Sequence, residues 1–331
     1  MNLEGMDVIN RYLSKIKEVV EKSGLSLDKY EIFYRGENKF FETTTPGIFR
    51  NGLKNEHKIF RELELRYPAI FDSAQSTIDK LAIMQHYGLP TRLLDLTTNP
   101  LLALYMAIDN HNIDGFNPTI KIVFVKKKKI KYYDSDTVTV LANFAKIKSD
   151  FSVTTSGFAN DNETIKKAKS NIGKLGYSYL NTHEDFKNLR MPLKYDAGKI
   201  ICEENASIHY LLHEIKGEKP YFKDMIWPEH FYKTVIFVKP KHNTQRIINQ
   251  AGLFALFGVD EGKKESFSLE SCQEKGHFRV EPLRLSDGDT TCTDSCIEST
   301  KKALAILGIT HDKVYPEIEY SSKYIKELFV D

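Results

Sequence analysis

The sequence predicts an α+β fold: a central mixed sheet flanked by helices, with a polar insertion. Two observations lead to this prediction. Apolar runs typical of strands are interspersed irregularly with segments whose apolar residues recur at helical spacing, a pattern that fits neither regular βαβ repeats nor an all-β protein. Of the 331 residues, 41% are hydrophobic, which is enough for a sizeable core.

Each element is predicted from a local pattern. Helices are expected over residues 7–22, 53–66, 75–87, 206–215, 299–307 and 317–329, and strands over 31–37, 91–97, 120–125, 234–240 and 247–257. Strand 120–125, IKIVFV, is apolar throughout, which predicts a central position with both faces covered. Gly88 and Pro90 indicate the end of one helix, and Asn99 followed by Pro100 indicates the start of the next.

We divide the chain into four segments by these patterns. They are an N-terminal helical segment (1–30), the first part of the core (31–145), an insertion or peripheral subdomain (146–200), and the second part of the core with the C-terminal helices (201–331). The third segment is assigned as an insertion because it is polar and weakly periodic.

Charge and composition restrict the function. The 47 Lys and Arg residues against 45 Asp and Glu give a formal charge of +2, so any basic surface for a polyanion must be local. The run KKKKIK at 126–131 is interpreted as a solvated strand end in preference to a phosphate patch. The sequence lacks a secretory signal and an apolar run long enough to span a bilayer, and it has only four cysteines, so we expect a cytoplasmic protein without membrane contact.

No metal is expected. Cys272, His277, Cys292 and Cys296 share one polar stretch, but their spacing is not that of a standard zinc finger or ribbon, and free cysteines in a loop are the preferred interpretation. The phosphate-loop, dinucleotide, zinc-helix and nucleophile-elbow motifs are absent. A nuclease is disfavoured because no structural unit carries paired carboxylates.

The stretch HYGLPTRLLDLTTNP, residues 86–100, places polar side chains where burial is expected. In its strand, alternation directs Arg92 and Asp95 to opposite faces, and Asp95 shares its face with Thr97. If Asp95 is buried, its charge requires an arginine, a backbone donor or a helix N-terminus. Two interpretations stay open: a structural pair between Asp95 and Arg35, or a pocket in which arginine and a helix N-terminus receive an anionic ligand.

Two further residues also have alternative roles. His86 lies in the last turn of a predicted helix, where it either caps the helix dipole or contacts a ligand. Gln250 is neutral, so it orients a ligand by hydrogen bonds and does not act as a charged base.

Several motifs in one order resemble the FRG-domain family, which is named for a Phe-Arg-Gly motif. They are FYRG (33–36), HYGLPTRLLDLTTNP (86–100), ALYMAI (103–108), QAGLF (250–254) and LGITHDKVYPEIEYSSKYI (307–325). The resemblance runs from about residue 30 to residue 325, and in this chain Tyr34 precedes the arginine. For bacterial members, the resemblance implies a role in conflict or phage defence.

The order of FYRG, a threonine-bearing strand and ALYMA is also distantly similar to ADP-ribosyltransferases. That resemblance implies that Arg35 binds the pyrophosphate and ribose of NAD and that Thr97 and Thr98 form the end of the middle strand of the pocket. It also implies that Gln250 takes the position of the family's glutamate late in the chain. Enzymes of the arginine class carry a glutamate at that position, where this chain has Gln250; Glu203 and Glu204 in the neighbouring segment are the candidates to substitute for it.

We therefore predict one site formed from strand ends and helix ends. Its predicted catalytic residues are Arg35, His86 and Gln250, and its predicted ligand contacts are Tyr34, Arg92, Asp95, Thr97, Thr98 and Asn99. The expected ligand is a nucleotide or dinucleotide, with NAD as substrate and a protein or nucleic acid as acceptor. The alternative is a non-catalytic sensor that binds a nucleotide or a nucleic-acid end.

Overall fold

A computed structural model gives the structure of most of the chain. The residues it describes are 4–51, 55–72, 74–148, 206–223, 226, 231, 233–242, 244–259, 266–273, 276–285 and 293–316. Most of the predicted insertion, the predicted helix 317–329, and Cys292, Glu203 and Glu204 lie outside these residues.

The strands form one sheet. They are β1 (Tyr30–Glu37), β2 (Leu93–Thr97), β3 (Thr119–Lys126), β4 (Ile130–Tyr132), β5 (Val235–Lys239), β6 (Gly252–Phe257) and β7 (Phe278–Arg284). The order across the sheet is β4-β5-β6-β2-β1-β3-β7. All neighbours are antiparallel except β4 and β5, so the sheet is mixed. The predicted α+β class is confirmed.

The helices fall between and around these strands. They are α1 (Glu4–Ser23), α2 (Gly47–Asn51), α3 (Glu56–Arg66), α4 (Pro68–Phe71), α5 (Thr77–His86), α6 (Pro100–Ile108), α7 (Asp136–Asn143), α8 (Ala206–Glu218), α9 (Gln245–Asn249), α10 (Leu269–Cys272), α11 (Asp294–Ile306) and α12 (His311–Val314). Short 3-10 turns occupy Lys127–Lys129 and Phe144–Lys146.

The helix boundaries around residues 86–100 agree with the sequence signals. Helix α5 ends at His86, and Gly88 has a φ of 79°, a left-handed conformation that glycine adopts without steric cost. The side chain of Asn99 accepts a hydrogen bond from the backbone N–H of Leu101, and Pro100 takes the first helical position of α6. The unit is therefore helix, strand, helix, as the sequence predicted.

The predicted strand over 247–257 is wrong in its first half. The side chain of Thr244 accepts a hydrogen bond from the N–H of Ile247, which caps the short helix α9. Gln250 consequently ends this helix instead of lying on a strand. β6 then begins at Gly252, after Ala251 with a φ of 45°.

Two separate layers of helices cover one face of the sheet. Helices α1, α6 and α11 pack on β1 and β3, whereas α5, α7 and α8 pack on β2, β6 and β5. A second apolar layer, which includes α2 and α10, covers the opposite face.

Strands β1 and β2 lie below the gap between the two helical layers, and they are joined by one residue pair, Tyr34 with Thr97. The two strands diverge beyond this pair, so the sheet is open between them.

Candidate functional site

A polar cleft of about 210 Å³ occupies the position where β1 and β2 diverge. Its walls come from both strands, from α6, and from the segment of α9 and α12. The lining residues are Tyr34, Arg35, Gly36, Asn38, Asp95, Leu96, Thr97, Met106, Arg246, Gln250 and Tyr315. Residues far apart in sequence therefore meet at the open part of the sheet.

The Arg35 guanidinium bridges the two diverging strands. Its Nε donates to Oε1 of Glu37 at 2.9 Å, and its Nη1 donates to the backbone carbonyl of Asp95 at 3.1 Å. Its Nη2 makes no hydrogen bond to any residue that the structure describes, and the side chain is 20% exposed. Arg35 therefore keeps one donor edge for another group in the cleft.

Glu37 fixes this arginine from the protein interior. Its side chain is 4% exposed, and Oε2 is buried without a hydrogen-bond partner among the described residues. A buried carboxylate requires a positive partner, and Arg35 is the residue that supplies it. The pair holds the guanidinium at the edge of the cleft.

The sequence suggested an ion pair between the Asp95 carboxylate and the Arg35 guanidinium, but the structure shows a different contact between these residues. The contact runs through the Asp95 backbone carbonyl, and the Asp95 side chain forms no ion pair within the described part of the chain. This geometry arises because β1 and β2 separate here, so the arginine takes a carbonyl that a regular ladder would pair with a backbone N–H. The Asp95 carboxylate is left to line the cleft.

The opposite wall is formed by α9 and the chain after α12. The guanidinium carbon of Arg246 lies 5.2 Å from the ring centroid of Tyr315, a cation–π contact. Nε2 of Gln250 donates to the carbonyl of Val314 at 3.0 Å, which ties α9 to α12. Arg246 and Gln250 are four residues apart, so the short helix directs both to the cleft.

His86 lies in a smaller adjoining cavity of about 60 Å³. This cavity shares Asp95, Leu96, Arg246 and Gln250 with the main cleft. The structure therefore brings Tyr34, Arg35, Asp95, Thr97 and Gln250 into one cleft and His86 next to it.

Thr98 and Asn99 do not line either cavity. The backbone N–H of Thr98 donates to the carbonyl of Ala251 at 3.3 Å, and the Asn99 side chain caps α6. Oγ1 of Thr97 accepts from the N–H of Asn99 at 3.0 Å. The three residues join the strand end to the helix start, a structural arrangement.

Arg92 was predicted to contact the ligand, but its side chain is fully buried and lines neither cavity. It forms a two-point ion pair with Glu56 of α3, in which Nε lies 2.8 Å from Oε1. Its Nη1 also donates to the carbonyls of Phe257 and Gly258 at 3.0 and 3.1 Å. These partners satisfy a buried charge, so Arg92 joins α3 to the end of β6.

The tyrosine of the FYRG motif holds its proton more strongly than a tyrosine in water. Removal from water raises the pKa of Tyr34 above its ordinary value of about 10, so the neutral phenol, a hydrogen-bond donor, persists to more alkaline pH.

Sequence reasoning missed Arg246, Glu37 and Tyr315. Arg246 was overlooked because its segment was read with the period of a strand, although Thr244 was a signal for a helix start. Glu37 follows Arg35 by two residues on the same strand face, a signal that was present in the sequence.

No group of three or more His, Cys, Asp and Glu side chains suited to a metal occurs within the described ranges. Among the helices that the structure describes, none combines the length and the apolar character needed to cross a bilayer.

Comparison with known proteins gives one family. Residues 30–114 match the model of the FRG domain, a range that contains the Arg35, Asp95 and Thr97 wall of the cleft and ends before Arg246 and Gln250. No curated protein and no solved structure matched the chain.

Proposed function

We propose that the segment matching the FRG domain model, residues 30–114, and helix α9 together bind the phosphate groups of a nucleotide. The observation that carries the proposal is the open Nη2 edge of Arg35, which is held in a polar cleft by Glu37 and by the Asp95 carbonyl. Guanidinium groups bind phosphate oxygens through parallel hydrogen bonds, and such bonds strengthen where water is partly excluded.

The second wall supports the same ligand class. Arg246 faces the cleft with its guanidinium against Tyr315, so cationic groups line both sides. Gln250 and Tyr34 add neutral polar groups. Ligand pockets commonly measure about 300–1,000 Å³. The cleft is smaller, at about 210 Å³, so it suits the charged part of a nucleotide with the remainder lying at the opening.

The proposed nucleotide is NAD, and the proposed reaction is transfer of its ADP-ribosyl group. In that reaction the bond between ribose C1′ and the nicotinamide nitrogen breaks, and nicotinamide leaves with the electron pair. An acceptor nucleophile then forms a bond to C1′ and loses its proton. The positive charge that develops on the ribose requires electrostatic support. Asp95 supports this step as the carboxylate that lines both cavities.

The experiment incubates the protein with NAD and follows released nicotinamide by chromatography, beside a calorimetric titration with NAD. Turnover indicates a transferase or hydrolase, and tight binding without turnover indicates the sensor. The test variant is Arg35→Gln with Glu37→Gln, which removes the pair without leaving a buried unpaired charge.

The chain offers a matched control for this variant. Arg279 and Glu281 form another pair two residues apart on a strand, β7, and the arginine is 49% exposed. Arg279→Gln with Glu281→Gln removes the same two charges away from the cleft. We expect NAD binding to weaken at least about tenfold in the cleft variant, the equivalent of one charged hydrogen bond. Equal affinities in the two variants would contradict the proposal, as would failure of the wild-type protein to bind.

A role in bacterial conflict or phage defence belongs to the same proposal and is supported by the family resemblance alone.

A further inference from the structure

A second charged surface lies at the other end of the sheet from the cleft. The start of β1 pairs with the end of β3, Tyr30 opposite Lys126, and the end of β3 pairs with the start of β7, Val125 opposite Phe278. The chain leaves β3 through a 3-10 turn and enters β4. This end of the sheet carries the lysine patch, composed of Lys29, Lys126, Lys127, Lys128, Lys129 and Lys131.

The strand pairing brings these lysines together. The backbone N–H of Lys127 donates to the carbonyl of Lys29 at 3.0 Å, which joins the segment before β1 to the turn after β3. Lys131 lies opposite Val238 of β5. The patch is therefore a property of the folded sheet as well as of the lysine run.

Within the described part of the chain, the ammonium groups of the patch lack a counter-charge. None of the six side chains forms an ion pair or hydrogen bond with any residue that the structure describes. Glu31, which lies opposite Val125, is bound to Lys239 instead. Partial burial and the charges of Lys131, Lys128 and Lys126 lower the pKa of Lys129, a sign of like charges held close together.

Protection of a sheet edge does not account for this arrangement. Lysines on an edge strand discourage pairing with another chain, and β4 is an edge strand. Of the six lysines, however, only Lys131 lies on β4, whereas Lys127, Lys128 and Lys129 form the preceding turn.

We propose that the lysine patch binds the phosphate backbone of single-stranded nucleic acid. Sequence-independent binding of single strands combines a positively charged track with aromatic rings on which bases stack. Tyr132 follows the lysines directly and is 66% exposed, so it is available for stacking. A membrane surface is disfavoured because an interfacial segment buries an apolar face, and the only large hydrophobic side chain exposed among residues 126–132 is this tyrosine.

The experiment measures fluorescence anisotropy of a labelled oligo(dT) of about 15 nucleotides, a length suited to one binding site, with the full chain at several salt concentrations. The test variant is Lys127→Ala, Lys128→Ala, Lys129→Ala. The control variant, Lys17→Ala, Lys58→Ala, Lys302→Ala, removes equal charge from exposed positions on α1, α3 and α11.

We expect the test variant to bind at least about tenfold more weakly than the control variant. Each lost phosphate contact lowers the slope of log K against log salt by about 0.7, so three contacts lower it by about 2. Tyr132→Ala should weaken binding about tenfold, the loss of one stacked base, whereas Tyr132→Phe should not.

Three results would overturn the proposal. They are absence of binding by the wild-type protein at low salt, equal losses in the two lysine variants, and tighter binding to phosphatidylserine vesicles than to the oligonucleotide. Since the variants leave Arg35 intact, NAD titration of the same proteins reports on the cleft separately.

Discussion

Arg35 and Arg92 both lie in the range that matches the FRG domain model, but their surroundings give them different roles. Arg35 has an open edge in a cleft, whereas Arg92 is fully buried and bound by Glu56 and two carbonyls. The first arrangement leaves binding capacity for a ligand. The second uses that capacity within the fold.

We expect Arg92→Leu to lower the free energy of unfolding by about 3–5 kcal/mol, because it leaves the Glu56 carboxylate buried without its cation. Arg92→Leu with Glu56→Leu should recover much of this loss, since both charges are then absent. Urea denaturation measures the values. Equal losses in the single and double variants would show that the ion pair is not the source of the effect.

The contact between Arg35 and Asp95 gives a second expectation at the residue scale. Because the contact uses the Asp95 backbone carbonyl, Asp95→Asn retains it, and the free energy of unfolding should change by less than about 1 kcal/mol. In the double variant Asp95→Asn, Arg35→Lys, the changes in the free energy of unfolding of the two single variants should add within about 0.5 kcal/mol. A double-mutant cycle in urea melts measures the coupling. A coupling energy above about 0.5 kcal/mol would indicate that the Asp95 carboxylate itself pairs with Arg35.

At the scale of elements, the glycine of the FYRG motif determines how closely α6 packs on β1. A Cβ atom at Gly36 would lie 2.0 Å from the carbonyl oxygen of Ala103 and 2.8 Å from the N–H nitrogen of Ala107. These are backbone atoms of α6, so rotation of a side chain does not relieve the overlap. The arginine of the motif lines the cleft and the glycine brings the helix against its strand.

We expect Gly36→Ala to lower the free energy of unfolding by about 1–3 kcal/mol or more, because the added methyl group displaces α6 from the sheet. Gly217→Ala is the control, because apart from its chain neighbours and the adjoining backbone of α8, no described atom lies within 4 Å of its Cβ position. That substitution should be neutral or stabilise the protein by up to about 1 kcal/mol. Thermal denaturation followed by circular dichroism compares the two, and similar melting temperatures would contradict the packing argument.

Helix α1 is joined to α6 by a buried phenol. The Tyr12 O–H donates to the carbonyl of Pro100 at 2.9 Å, and burial, followed by the charge of Tyr34, raises the pKa of Tyr12 well above its ordinary value. A raised pKa in the folded state contributes stability that is complete below the ordinary pKa of about 10 and is lost as pH rises through the folded value.

The free energy of unfolding should therefore fall above pH about 10, and Tyr12→Phe should make that fall shallower. Guanidinium melts at a series of alkaline pH values measure the slope. Tyr221→Phe is the control, because Tyr221 is 98% exposed. The expectation fails if both variants follow the wild-type slope.

At the scale of the whole molecule, the sequence was informative where a signal is local. Asn99 with Pro100 and the glycine at 88 marked helix ends correctly, and IKIVFV was correctly placed inside the sheet. These features depend on a few neighbouring residues, so a single sequence contains them.

The cleft required information that the sequence does not hold locally. The divergence of β1 from β2 depends on pairings across the whole chain, because β2 pairs along its length with β6 and β1 with β3. Glu56, the partner of Arg92, lies on another element, α3. Arg246 reached the cleft through a helix where a strand was expected, since the Thr244 cap outweighed the apparent alternation.

We propose that Arg35 is held in the cleft for an anionic ligand and not only for stability. The most direct test is the change in melting temperature on addition of ADP, because a ligand that binds only the folded state stabilises it by RT ln(1 + L/Kd), where L is the free ligand concentration, so tighter binding gives a larger rise. We expect a rise for the wild type and for the Arg279→Gln, Glu281→Gln control, and a clearly smaller rise for Arg35→Gln, Glu37→Gln at the same ADP concentration. An equal rise in all three proteins, or no rise in the wild type, would contradict the claim.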